Sequence, residues 1–161
     1  MANYEDLYRR YATDVLRMCC FYLGNRQQAE DVTQDVFVKL LTTAPTLEEG
    51  REKSWLLKVA LNRCKDLWRG AWAKRVVLGS PQYELAPSPD TLGQREEEQA
   101  LWQAVQSLPT AFRETVLLYY YENYSIGEIA QLLEISEGTV SSRLSRGRKQ
   151  LEKMLGKEES L

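Results

Sequence analysis

The chain has 161 residues, 43% hydrophobic and 27% charged, which describes a soluble globular protein with apolar material for one ordinary domain or two small ones. It has no histidine, and its three cysteines (Cys19, Cys20, Cys64) form no CxxC pair, so triad chemistry and a conventional zinc site are disfavoured. Its glycines form no phosphate-binding loop, no apolar run reaches membrane-span length, and residues 1–6 lack the start of a signal peptide; a cytoplasmic protein without a cofactor is expected.

The formal net charge of −2 conceals a partition. Residues 1–49 carry five Lys/Arg against eight Asp/Glu, whereas 50–78 carry eight against two. Acidic residues dominate again over 79–99, and 136–157 hold six Lys/Arg against two Glu. Two basic islands separated by acidic surface suggest two nucleic-acid contacts.

Helical periodicity begins near residue 4 and runs to about 23, where Gly24-Asn25 is a helix stop. A second helix is expected over about 27–42, with Ala29, Val32, Val36 and Leu40 as its buried stripe. Its opposite face presents Asp31, Gln34, Asp35 and Val38. That face suits plain solvation, or docking of a basic partner with Val38 as a small apolar contact. Pro45 and Gly50 punctuate a loop, and Ser54 is placed to cap a third helix from 55 to about 70 or slightly beyond. On that helix Leu56, Val59, Ala60 and Leu67 face inward, and Lys58, Asn62, Lys65, Arg69 and Trp72 face outward. Cations interleaved with indoles suit a phosphate backbone beside unpaired bases. Trp55 and Trp68 read as covers of the core edge, whereas Trp72 fits either role.

Three of the five prolines (Pro81, Pro87, Pro89) then fall within nine residues, the pattern of an extended tether. Periodicity resumes near residue 95 with Leu101, Ala104, Val105 and Leu108 on one face, and another helix follows Pro109-Thr110. Ser125 with Glu128 three residues on forms a capping box, and Ile126, Ile129, Ala130 and Leu133 share the face that follows. Glu134-Ile135 breaks this helix and Ser136 caps the next, in which Val140, Leu144, Gly147 and Leu151 cluster on one side. The other side carries Ser142, Ser145, Arg146 and Lys149, flanked by Ser141, Arg143 and Arg148. Short hydroxyls and guanidinium groups opposite a core stripe are what a major groove requires, although a solvated charged face has the same pattern. No alternating β-branched run appears. The expected fold is all-α: two small helical domains, 1–76 and 95–161, joined by a flexible Pro-rich linker at 77–94, the second containing a helix-turn-helix.

Read together, these segments resemble a bacterial RNA polymerase sigma factor of the sigma-70 superfamily, of the two-domain extracytoplasmic-function type. The resemblance rests on Ala29-Glu30-Asp31-Val32-Thr33-Gln34-Asp35-Val36-Phe37, then Trp55-Leu56, Ala60-Leu61-Asn62-Arg63 and Asp66-Leu67-Trp68-Arg69. It continues in Leu108-Pro109, Phe112-Arg113, Tyr124-Ser125, Glu128-Ile129-Ala130, the run 136–144 and Arg146-Gly147-Arg148. It implies that the first domain docks on core RNA polymerase through Asp31, Gln34, Asp35 and Val38 and opens the −10 promoter element. Asn62, Lys65, Arg69 and Trp72 would then line the single-strand path. The loop 42–53 would help capture a flipped base; relatives often carry an aromatic residue there, and Leu47 would stand in for it. The second domain would read the −35 element, with Thr139 and Arg143 on phosphates, Ser141, Ser142 and Arg146 on base edges, and Lys149 beside them. Ser141 stands where a longer basic residue is common. Implied partners are core RNA polymerase, promoter DNA and an anti-sigma factor, with no small-molecule substrate, metal or membrane insertion.

Two other classes are distinguishable by sequence. A stand-alone helix-turn-helix regulator with an N-terminal sensing or dimerisation domain needs a dimer seam for a palindromic site, and no heptad stripe offers one. A helical metal-dependent hydrolase needs inward-facing clustered carboxylates, whereas Asp31 and Asp35 face outward.

Overall fold

The computed structural model describes residues 3–78 and 96–156, with side chains left undescribed at 70–78 and 96–98. Among these residues helices are the only regular secondary structure, and they fall into two compact units, one before and one after the undescribed segment 79–95. The expected linker 77–94 lies outside the described residues, except for 77 and 78, which end a helix.

The first unit contains α1 (Tyr4–Leu23), α2 (Arg26–Thr43) and α3 (Glu52–Leu78), each packed on the other two. Asn3 caps α1 by accepting from the Asp6 N–H, and Gly24 ends it in the left-handed conformation at φ 70°. Asn25 caps α2 in the same manner through the Gln28 N–H. The expected stripe Ala29, Val32, Val36 and Leu40 is buried, with Phe37 joining it against the rings of Tyr4 and Tyr8. Burial of Leu56, Leu57, Ala60, Leu61 and Cys64 on α3, against half-burial of Val59 and Leu67, shows a stripe rotated from the expected one. The reason is that α3 contacts both α1 and α2, so its core face is wide.

Ser54 does not cap α3. The helix starts two residues earlier, after a turn in which Gly50 adopts φ 88°. The Glu52 carboxylate accepts the Gly50 N–H at 2.9 Å, and the Trp55 N–H already donates to the Arg51 carbonyl at 3.2 Å. The glycine thus lets the chain double back so that the buried Glu52 carboxylate closes the turn. At its far end α3 continues past 70, and past the expected domain boundary at 76, to Leu78.

The second unit contains α4 (Glu96–Ser107), α5 (Thr110–Val116) running into a π-helical turn at Leu117–Tyr121, α6 (Ile126–Leu133) and α7 (Glu137–Leu155). The π turn was not expected from sequence. It turns Leu117 and Leu118 into the core while Tyr119 and Tyr120 stay exposed. Helix α7 packs on α4, α5 and α6, and its buried residues are the expected Val140, Leu144, Gly147 and Leu151. In α6, Ile129 and Ala130 are buried, Leu132 joins them, and Ile126 and Leu133 are half-buried.

Arg113 of α5 is 1% exposed. Its guanidinium donates to the Gln106 carbonyl and, at 2.9 Å, to that of Leu108. A cation there satisfies carbonyls left open at the end of α4 and complements the negative pole of that helix.

Candidate nucleic-acid interface

In the second unit the helix-turn-helix is set by its caps. Ser125 Oγ accepts the Glu128 N–H at 3.0 Å while Glu128 Oε1 accepts the Ser125 N–H at 2.8 Å, the reciprocal bonds of a capping box. Glu134 ends α6 at φ 61°, its N–H on the Ala130 carbonyl, and the chain re-enters helix three residues later, at Glu137. Ser136 Oγ then accepts the Thr139 N–H at 3.1 Å and lies 2.9 Å from Thr139 Oγ1. The Thr139 hydroxyl is therefore part of the cap.

The core stripe of α7 forces its opposite side outward. Ser141, Ser142, Ser145, Arg146 and Lys149 are exposed, with Arg143 half-buried at the edge. None of these six makes a side-chain hydrogen bond or ion pair among the described residues. Their donors are thus free for a ligand, and Ser142, Arg146 and Lys149 recur at intervals of four and three along one face. Arg148 differs: its Nη1 donates to the Tyr120 hydroxyl at 3.2 Å, tying the recognition helix to the π turn. Helix periodicity alone offered no signal for that contact.

Gly147 explains how the face is presented. A Cβ at this position would lie 3.0 Å from Val116 Cγ2 and 3.4 Å from Phe112 Cβ. The missing side chain lets α7 lie close against α5 and leaves Arg146 and Arg148 on the outside.

In the first unit Asn62 and Arg69 of α3 are exposed and Lys65 is half-buried, so the three follow one side of the helix at intervals of three and four. Arg69 Nη1 sits 3.7 Å from Asp66 Oδ1. The side chain of Trp72 lies outside the described residues. Asp31, Gln34, Asp35 and Val38 are all exposed on α2, Val38 to 56%. Asp31 has no ion-pair partner among the described residues, whereas Asp35 Oδ2 receives Arg63 Nε of α3 at 3.0 Å. In the loop before α3, Leu47 is half-buried and lines a cavity of about 240 Å³ with Leu40, Leu41 and Pro45. The thiols are not reactive candidates: Cys19, Cys20 and Cys64 are buried. Burial, reinforced by neighbouring Cys19, pushes the Cys20 thiol up to about 11.

Comparison with known proteins follows this division. Residues 7–74 match the family model described as sigma-70 region 2, and 98–151 match that of sigma-70 region 4. The chain is 31% identical over 165 residues to the ECF RNA polymerase sigma factor SigE of Mycolicibacterium smegmatis, covering 99% of this chain but 64% of that protein. It is also 31% identical over 162 residues to the RNA polymerase sigma factor CarQ of Myxococcus xanthus, covering 97% and 91%. Among solved structures, the sigma factor RpoE in complex with the anti-sigma factor NepR from Bartonella quintana has a TM-score of 0.77 at 22% identity, covering 92% of this chain and 94% of that one. CnrH in complex with the cytosolic domain of CnrY has a TM-score of 0.69 at 23% identity, covering 95% and 87%. The two structures share its fold.

Proposed function

The chain belongs to the sigma-70 family, in its extracytoplasmic-function branch, and from that premise we propose that it is a promoter-specificity subunit which joins core RNA polymerase, opens the −10 element and reads the −35 element. The observation that carries this reading is the sided construction of α7: a buried stripe on one side, and on the other Ser141, Ser142, Ser145, Arg143, Arg146 and Lys149, whose side chains have no partners among the described residues.

Each surface then takes one task. The outer face of α7 enters the major groove. Arg146 reads a guanine through two parallel hydrogen bonds, Ser141 and Ser142 meet neighbouring base edges, and Arg143 and Lys149 hold phosphates. Thr139, its hydroxyl engaged with Ser136, contributes chiefly the helix N-terminus, whose open N–H groups favour a phosphate. On α3, Asn62, Lys65 and Arg69, followed by Trp72, bind the separated strand. Cations along that path offset part of the few kcal/mol lost on unstacking each base. The exposed face of α2, with Asp31, Gln34, Asp35 and Val38, meets a basic element of core polymerase. An anti-sigma factor that covers these surfaces would compete with polymerase. The units 1–76 and 95–161, joined through 77–94, are the two promoter-reading domains, and none of these roles requires catalysis by the chain.

Reconstitution tests this directly. The purified chain, mixed with bacterial core polymerase and a promoter library, is expected to yield promoter-specific transcripts that core polymerase alone does not produce. Folded protein that forms no complex and gives no selective transcription would overturn the proposal.

A further inference from the structure

Arg63 and Asp35 are 28 residues apart in sequence, yet Arg63 Nε lies 3.0 Å from Asp35 Oδ2. The contact straddles the two surfaces of the first unit. Asp35 stands one turn beyond Asp31 on the outer face of α2, while Arg63 follows Asn62 on the helix that carries Lys65 and Arg69. Among the described residues Arg63 pairs with no other carboxylate: Asp66, its neighbour on α3, sits by Arg69, and Asp31 makes no ion pair. In the free chain, one of the two carboxylates on the docking face is therefore neutralised by a cation from the strand-facing helix.

The pair is suited to exchange. Its side chains are 47% and 53% exposed, and an ion pair that open to solvent is held weakly. A basic group approaching α2 must compete with Arg63 for Asp35. We propose that Arg63 is an exchanging residue, released from Asp35 when a basic element of core polymerase docks on α2, and then engaging a phosphate of the opened promoter strand along α3. The inference rests on the docking and strand-binding reading above. It supplies a local reason for the two events to be coupled, since docking unmasks a cation and bound strand keeps Arg63 away from Asp35. By linkage the two affinities must change by the same factor.

The test uses the full chain with core polymerase. Equilibrium titration of fluorescently labelled chain is expected to show Arg63→Gln binding core polymerase about two- to five-fold more tightly, the range a lost exposed ion pair supports. The preformed complex carrying Arg63→Gln should hold a −10 single-stranded oligonucleotide more weakly. Its log affinity should fall with log salt along a slope shallower by about 0.7, the value for one phosphate contact on a single strand. In an Asp35→Asn background, Arg63→Gln should no longer improve polymerase binding. Unchanged or weaker polymerase binding by Arg63→Gln, an unchanged salt slope, or a gain that persists with Asp35→Asn would each overturn the exchange. So would loss of helical circular dichroism in Arg63→Gln, which would make the pair structural. If the unaltered chain forms no complex at all, the docking reading itself falls.

Discussion

Gly147 of α7 stands so close to Val116 of α5 that a Cβ on the glycine would lie 3.0 Å from Val116 Cγ2. Backbone conformation does not require glycine here, because the position is an ordinary helical one, and glycine lowers helix stability by roughly 1 kcal/mol relative to alanine. Its use is the close approach of two helices. Gly147→Leu should force α5 and α7 apart and destabilise the second unit by about 1–3 kcal/mol, the usual range for overpacking. The readout is the urea midpoint of 95–161 within the full chain. A midpoint within error of the unaltered protein would show that the interface yields freely.

Arg113 is a charged residue with a core address, bonded to the carbonyls of Gln106 and Leu108. Arg113→Leu retains apolar bulk but leaves those carbonyls without their donor in a dry site. Hydrogen bonds to charged groups contribute roughly 1.5–3 kcal/mol each, so a loss of about 3 kcal/mol is expected. Arg113→Lys should recover only part of it, because the shorter lysine stem does not bring its ammonium to the place from which Arg113 Nη2 reaches both carbonyls. Thermal unfolding of the three proteins measures the order, and equal stability of Arg113→Leu and the parent would refute the capping role.

Gly147 lay in the expected core stripe of α7, whereas the burial of Arg113 was not foreseen from sequence. The stripes on α2 and α7 were legible because their apolar residues repeat at helical spacing opposite a polar face, so a 3.6-residue period maps directly onto burial. Ser125, Glu128 and Ser136 were legible because a cap is a local event within four residues. Helix α3 was less so: contact with both neighbours turns Leu57, Leu61 and Cys64 inward, and its start depends on Gly50 and Glu52 rather than on the nearest serine. Arg113 and the Asp35–Arg63 pair could not be read from spacing at all. Arginine is normally an exposed residue, and which carboxylate meets which cation depends on the crossing of two helices.

Cys20 links the first unit to alkaline pH. Its thiol is raised from 9.0 to about 11, because burial disfavours the thiolate and Cys19 lies beside it. A folded-state value above the unfolded one leaves both states protonated, and stability unaffected, below about pH 8. Between 9 and 11 the unfolded thiol ionises while the folded one does not, so stability falls by about 2–3 kcal/mol across that window. Comparing the pH dependence of urea unfolding for the parent and Cys20→Ala isolates this contribution from other alkaline groups. The parent should lose more between pH 9 and 10.5; parallel curves would count against it. Alkylation of the native protein by iodoacetamide at pH 8 should be slow for the same reason.

Arg146 and Lys149 lie three residues apart on the exposed side of α7, and the proposed function gives them different signatures. If Arg146 holds a guanine edge, Arg146→Ala should weaken transcription from a matched −35 element by about 1–3 kcal/mol and relax preference at one base position. If Lys149 holds a phosphate, Lys149→Ala should weaken all −35 sequences alike and make the salt slope shallower by roughly 1. Both side chains are exposed and make no hydrogen bond or ion pair among the described residues, so neither change should disturb folding. Transcription by reconstituted polymerase on promoters randomised at −35, repeated at two salt concentrations, separates the cases. Equal effects of Arg146→Ala on every −35 sequence would reassign it to the backbone. A base-specific loss from Lys149→Ala would move the reading position one helical turn further along α7, away from the capped N-terminus at Ser136.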